Sequence, residues 1–240
     1  MTDGHAMSNL SQLQINQDLV KSAAYGDLEG VVRLLDAGAD PLDSESRALS
    51  FAARGGYGEC VRLLAPISDP KADNSYALRY AALHGHAECL RVLLPVSDPK
   101  ANNSEALRGA VVYGHIECVK LLLPFSDAKA LGSAALTLAA QDGNIECVKL
   151  LMPASHPLME CHDLLRQVLA EGHAKIAAIL IEAEPRLLDG IDLSLFVAEA
   201  SLNGNRQLAA MLLSIIDRQA LLTTRASAQS QGSTPQAKRL

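Results

Sequence analysis

The chain has 240 residues, 49% of them hydrophobic and 20% charged, with a formal net charge of −6. That is enough apolar material for a buried core, while an acidic balance is a poor match for nucleic acid or anionic lipid, which are held mainly by Lys and Arg. Aromatic residues make up 3% and Trp is absent, so the core must be built from Ala, Leu and Val, which favours closely packed helices over a β-sandwich.

Residues 1–11 are polar and lack the apolar centre of a signal peptide, so they read as a disordered N-terminus, and standard export is not expected. No apolar run is long enough for a membrane span. From about Leu13 the chain becomes periodic. Gly26, Gly56, Gly85, Gly114, Gly143, Gly172 and Gly204 follow one another at steps of 30, 29, 29, 29, 29 and 32 residues, implying seven units that end near Asp217. Three other residue types share the 29-residue step: Asp40, Asp69, Asp98 and Asp127; Ser46, Ser75, Ser104 and Ser133; Cys60, Cys89, Cys118 and Cys147.

The third unit shows what one period encodes. Ser75 is expected as an N-cap. Leu78, Ala81 and Ala82 then lie at the spacing of a buried helix face, and Gly85 ends the helix at positive φ. A second helix carries Glu88 to Leu94. Glu88 complements the helix dipole, and Arg91 lies one turn on; Pro95 stops the helix before the turn Ser97-Asp98-Pro99. Such a unit cannot bury its apolar stripe alone, but stacked units form a continuous core. After Pro153 the pattern weakens, and Ile176 replaces Cys. Residues 223–240 are polar, free of acids and low in complexity, and are expected to be a disordered tail.

Several recurring residues invite a chemical reading. Cysteines one repeat apart sit about 8–10 Å from each other, too far for a disulfide or a convergent zinc cage, so they read as buried core thiols in a reducing compartment. His84, His86 and Cys89 have metal-like spacing, but Gly-His recurs at the inter-helix turn of other units, which points to a structural role. The glutamates Glu59, Glu88, Glu117 and Glu146 each precede a basic residue by three and read as surface pairs with Arg62, Arg91, Lys120 and Lys149. No phosphate loop, nucleophile elbow or zinc-protease helix is present.

The run from Tyr80 to Leu94, Tyr-Ala-Ala-Leu-His-Gly-His-Ala-Glu-Cys-Leu-Arg-Val-Leu-Leu, resembles the ankyrin repeat in its Ala-Ala, Gly-His and Leu-Leu marks. Asp36-Ala37-Gly38-Ala39-Asp40-Pro41 resembles the family's hairpin, and Gly114-His115 and Gly143-Asn144 with their following helices repeat the match. The period is short of the family's ~33 residues, and Thr-Pro-Leu-His is replaced by Tyr76-Ala77-Leu78-Arg79. Short loops are therefore expected where the family has β-hairpins, with a fuller hairpin only at Gly38.

The resemblance implies an all-α, ankyrin-type helical-repeat solenoid of about seven helix-turn-helix units over residues 12–222. It implies a scaffold that binds a protein partner through its concave face, with a regulatory or inhibitory subunit of a specific enzyme, or an effector acting on a host protein, as alternatives. Catalytic residues, cofactors and metal are not expected, nor are nucleic-acid or membrane partners; the chain is expected to be a cytoplasmic monomer. Positions before each turn glycine line the concave groove in the family and vary here, as do first-helix positions. Tyr and Arg are the types that make binding hot spots. The candidate partner-binding residues are Tyr25, Arg54, Tyr76, Arg79, His84, Arg108, Tyr113 and Asp142.

Overall fold

A computed structural model describes residues 3–155 and 157–231, and side chains over 11–155 and 163–221. Of the ends expected to be disordered, 1–11 and 223–240, residues 3–11 and 223–231 are helical and the remainder lies outside the described residues, as does the side chain of Cys161. Among the described residues the regular structure is helical, with no strand. The chain divides into two compact units, residues 1–156 and 157–240.

In the first unit the helices are α1 (Asp3–Tyr25), α2 (Leu28–Asp36), α3 (Asp43–Gly55), α4 (Gly58–Leu64), α5 (Ala72–Leu83), α6 (Ala87–Leu93), α7 (Ala101–Val112), α8 (Ile116–Leu122), α9 (Ala130–Gln141) and α10 (Ile145–Leu151). These are five helix pairs. The first helices α1, α3, α5, α7 and α9 pack one on the next as one layer, and the second helices α2, α4, α6, α8 and α10 as the other. Between them lie Leu49, Leu78, Leu107 and Leu136 from first helices and Leu64, Leu93, Leu122 and Leu151 from second helices, all fully buried. Each such leucine contributes roughly 1.5–3 kcal/mol on leaving water. Ala52, Ala81, Ala110 and Ala139 are also fully buried, and their small size lets adjacent first helices approach closely.

The second unit holds two further pairs, α11 (Pro157–Ala170) with α12 (Ala174–Ala183) and α13 (Leu193–Leu202) with α14 (Arg206–Gln231). A 3-10 turn, Pro185–Leu188, packs on α11 and α12 and buries Leu187. Ile176 takes the buried place that the cysteines hold in the first unit.

Every glycine of the ladder has positive φ, from +68° at Gly114 to +81° at Gly172, as the turn reading requires. At Gly56 and Gly85 space adds a second demand. A Cβ would lie 2.5 Å from His86 Nδ1 at Gly56 and 2.7 Å from His115 Nδ1 at Gly85, because the next repeat's imidazole lies across the turn. The same rings tie the repeats together: His86 Nε2–H donates to the Arg54 carbonyl at 3.0 Å, and His115 Nε2–H to the Leu83 carbonyl at 3.1 Å.

The serines correct the sequence reading. Ser75 is not the N-cap of its helix. Asp73, Asn74 and Ser75 all adopt left-handed angles before the right-handed helix proceeds from Tyr76, and 44–46, 102–104 and 131–133 do the same. The hydroxyl looks along the stack instead. The Asp69, Asp98 and Asp127 N–H groups donate to Ser46, Ser75 and Ser104 Oγ at 2.7, 2.9 and 2.7 Å. In the first repeat Asn16 Oδ1 takes this part, accepting from Asp40 N–H at 2.8 Å.

The aspartates each open a tight turn. The Lys71, Lys100 and Lys129 N–H groups donate to Asp69, Asp98 and Asp127 Oδ1 at 2.9, 2.9 and 3.0 Å, the side-chain turn that Asp favours. A polar ladder thus stands where the family places hairpins. Gly38 forms no strand pairing either, so the expected fuller hairpin is absent there; its carbonyl accepts from Gln12 Nε2–H at 3.0 Å.

Candidate functional site

The first-helix layer of residues 1–156 presents side chains that the core does not use. Tyr76 and Tyr80 on α5 and His84 at its C-cap recur every four residues and share one face. The Tyr76 and Tyr80 rings stack with centroids 3.9 Å apart and an interplanar angle of 14°, and His84 follows 6.0 Å from Tyr80. From α3, Arg54 brings its guanidinium within 5.8 Å of the Tyr80 ring centre, and Arg47 lies 5.5 Å from the Phe51 ring centre. Both distances suit a cation over an aromatic face.

Electrostatics follow from this crowding. Burial, then the charges of His86, Arg54 and His115, hold His84 below the ordinary histidine value, so at neutral pH it is an uncharged ring. Burial and the neighbouring Tyr80 hydroxyl push Tyr76 up, so Tyr76 remains a neutral donor and acceptor.

The structure therefore brings Arg54, Tyr76 and His84 together, with Arg47, Phe51 and Tyr80 beside them. Sequence reading left Phe51 and Tyr80 out because spacing along one helix does not show which rings stack or what the adjacent helix lays over them. Tyr113, the C-cap of α7, is 61% exposed, with its ring centre 6.3 Å from that of His115. Tyr25, 80% exposed, and Asp142 stand at the ends of α1 and α9, with no ring or ion-pair contact to the cluster among the described residues.

Arg79 and Arg108 have a different task from the one expected. The Arg79 side chain is only 11% exposed. It donates to the carbonyls of Asp73 at 2.9 Å and Asn74 at 3.0 Å, and pairs with Glu105 at 2.8 Å. Arg108 reaches the carbonyls of Asn102 and Asn103. Both arginines donate to carbonyls of the left-handed turns.

The second-helix layer behaves as structure. Cys60, Cys89, Cys118 and Cys147 are buried, and burial pushes Cys89, Cys118 and Cys147 up to about 11, leaving them as thiols near neutral pH. Glu59 pairs with Arg62 and Glu88 with Arg91, as the spacing predicts. Lys120 and Lys149 do not close the equivalent pairs among the described residues; Glu117 is taken instead by Arg91 at 2.8 Å, whose longer fork reaches across one repeat.

A family model described as ankyrin repeats, in three copies, matches residues 19–105 and 95–161. No curated protein matches the chain. Ankyrin repeats are in general protein–protein interaction modules, and the family is typically non-enzymatic. Helix pairs closed by glycine turns and stacked in two layers are the form these repeats take, and the matched residues span well over half of the chain: it belongs to the ankyrin repeat family.

Proposed function

We propose that the chain is a protein-binding scaffold, and that the first-helix face of residues 1–156 seats a segment of its partner. The observation that carries this reading is the Tyr76–Tyr80 stack capped by Arg54, a set of hot-spot side chains left outside the core. Its neighbours support it. Histidine hydrogen bonds at the turns and the Ser–Asp ladder at the loops hold α3, α5 and α7 in register, so docking orders few groups that are not already ordered. Free buried thiols fit work in the reducing cytoplasm, and the scaffold acts as a monomer.

The test is site-specific photo-crosslinking in cell extract. A benzophenone amino acid in place of Phe51 should yield discrete protein adducts, whereas one in place of Lys149, on α10, should not. Arg54→Ala with Tyr80→Ala should abolish the adducts at unchanged helical content. Equal capture from both positions would move the interface elsewhere.

A further inference from the structure

The left-handed turns at the start of α3, α5 and α7 share one backbone shape. Their opening residues have φ and ψ of 49° and 50° at Ser44, 44° and 52° at Asp73, and 50° and 45° at Asn102. On α5 and α7 the residue six positions after the opening one is an arginine. Arg79 donates to the carbonyls of the first two turn residues, Asp73 and Asn74, and Arg108 to those of Asn102 and Asn103. On α3 the equivalent residue is Ser50. A serine is too short for that reach, and the Ser44 and Glu45 carbonyls receive no side-chain hydrogen bond among the described residues. Because the backbone angles match, these two carbonyls stand to position 50 as the carbonyls of Asp73 and Asn74 stand to position 79.

The place that an arginine fills in the third and fourth repeats is open in the second. A recess of about 280 Å³ lies there, lined by Ser44, Glu45 and Ser50 of the second repeat and by Asp73 and Tyr76 of the third. Its far wall differs from that of Arg79 in one useful way. Arg79 pairs across the repeat boundary with Glu105 of α7 at 2.8 Å, and the equivalent of Glu105 on α5 is Tyr76, a ring against which a guanidinium stacks.

Carboxylates come instead from Glu45 and Asp73. Glu45 has no ion-pair partner among the described residues, and Asp73 lies 3.9 Å from Arg79, at the outer limit of a pair. Arg47 also lines the recess, its guanidinium 5.5 Å from the Phe51 ring centre, so the recess sets two carboxylates against one cation. The two carbonyls carry the inference, and the charge balance agrees with it. Thr137 stands at the same position of α9, but its turn opens with Leu131 and Gly132, which bring no carboxylate.

We propose that this recess is an arginine slot: a guanidinium from the partner's segment enters it, donates to the Ser44 and Glu45 carbonyls and lies against Tyr76. The inference rests on the reading of the first-helix face as a protein-binding surface, and it names the side chain that this surface selects. Lysine is a poor substitute, because one ammonium does not span two carbonyls and a ring face at once.

The experiment probes the full chain with sets of short peptides that differ at one position, arginine in one member and lysine or glutamine in the others, set among neutral aliphatic and aromatic residues. The arginine member should bind about tenfold or more tightly than its counterparts. Ser50→Arg supplies the guanidinium from within the chain, and arginine-peptide binding should fall by about tenfold or more. Glu45→Gln with Asp73→Asn should weaken it by about tenfold, and this variant decides the matter if circular dichroism shows Ser50→Arg to be unfolded. Glu146→Gln, on α10, should leave binding unchanged. A folded Ser50→Arg protein that keeps the arginine peptides would overturn the slot. Peptides that bind without preference for arginine and are lost in Tyr76→Ala with Tyr80→Ala would overturn the slot and leave the binding face. No binding, or binding indifferent to every face variant, would remove the face and the slot with it.

Discussion

Arg79 and Arg54 occupy first helices of adjacent repeats, yet one is consumed inside the fold and the other is left on its surface. Arg79 donates to the Asp73 and Asn74 carbonyls of a left-handed turn, with Glu105 beside it on α7. Three hydrogen bonds in fixed directions suit a planar fork and not a single ammonium. Arg79→Lys should therefore destabilise the protein by about 1–2 kcal/mol, read as a lower urea midpoint at unchanged slope. Arg54 makes no such bonds through its side chain, so its loss belongs to binding. The left-handed turns themselves follow residue preference only in part. Ser44, Asp73 and Asn102 are small or polar at the first position, where left-handed angles are tolerated best, whereas Leu131 stands there with φ of +50°. Nothing in the structure explains that leucine.

Helices of 7 to 13 residues, such as α6 and α3, are too short to be stable alone, so each depends on its neighbours above and below. The turn glycines make that dependence concrete. Gly85 needs its positive φ, and it also leaves space for His115 from the next repeat. Gly38 has φ of +90°, but a Cβ placed there would meet nothing within 4 Å, so backbone strain is the whole cost of a side chain at that position. Gly85→Ala should cost about 1–2 kcal/mol and Gly38→Ala less, as measured by thermal unfolding of the two variants. Equal effects would show that the imidazole yields freely and that the His115 hydrogen bond to Leu83 carries little.

At the scale of the whole protein, the row of cysteines gives stability a dependence on alkaline pH. Burial raises Cys89, Cys118 and Cys147 from an ordinary 9.0 to about 11. The unfolded chain therefore loses these protons first as pH rises. The stability held by the thiol forms is intact below about pH 9 and falls as pH climbs toward 11. Urea midpoints at pH 8 and pH 10.5 should differ, and the difference should shrink in the triple Cys→Ala variant even though that variant starts less stable. A difference of equal size in both proteins would assign the alkaline loss to other groups.

The sequence by itself determined the helix pairs, their 29-residue step, the turn glycines and the Leu–Ala core, because each is written in local chemistry and repeated unit after unit. Arg54, Tyr76 and His84 were also legible as variable positions on one layer. What only the tertiary structure decided is the partner of each polar group: the Ser75 hydroxyl serves Asp98, Arg79 serves a turn while Arg54 does not, and Tyr80 joins the surface stack. These outcomes depend on which acceptor the adjacent repeat brings within about 3 Å, and a periodic pattern records the positions of residues along the chain but not the distances between side chains across it.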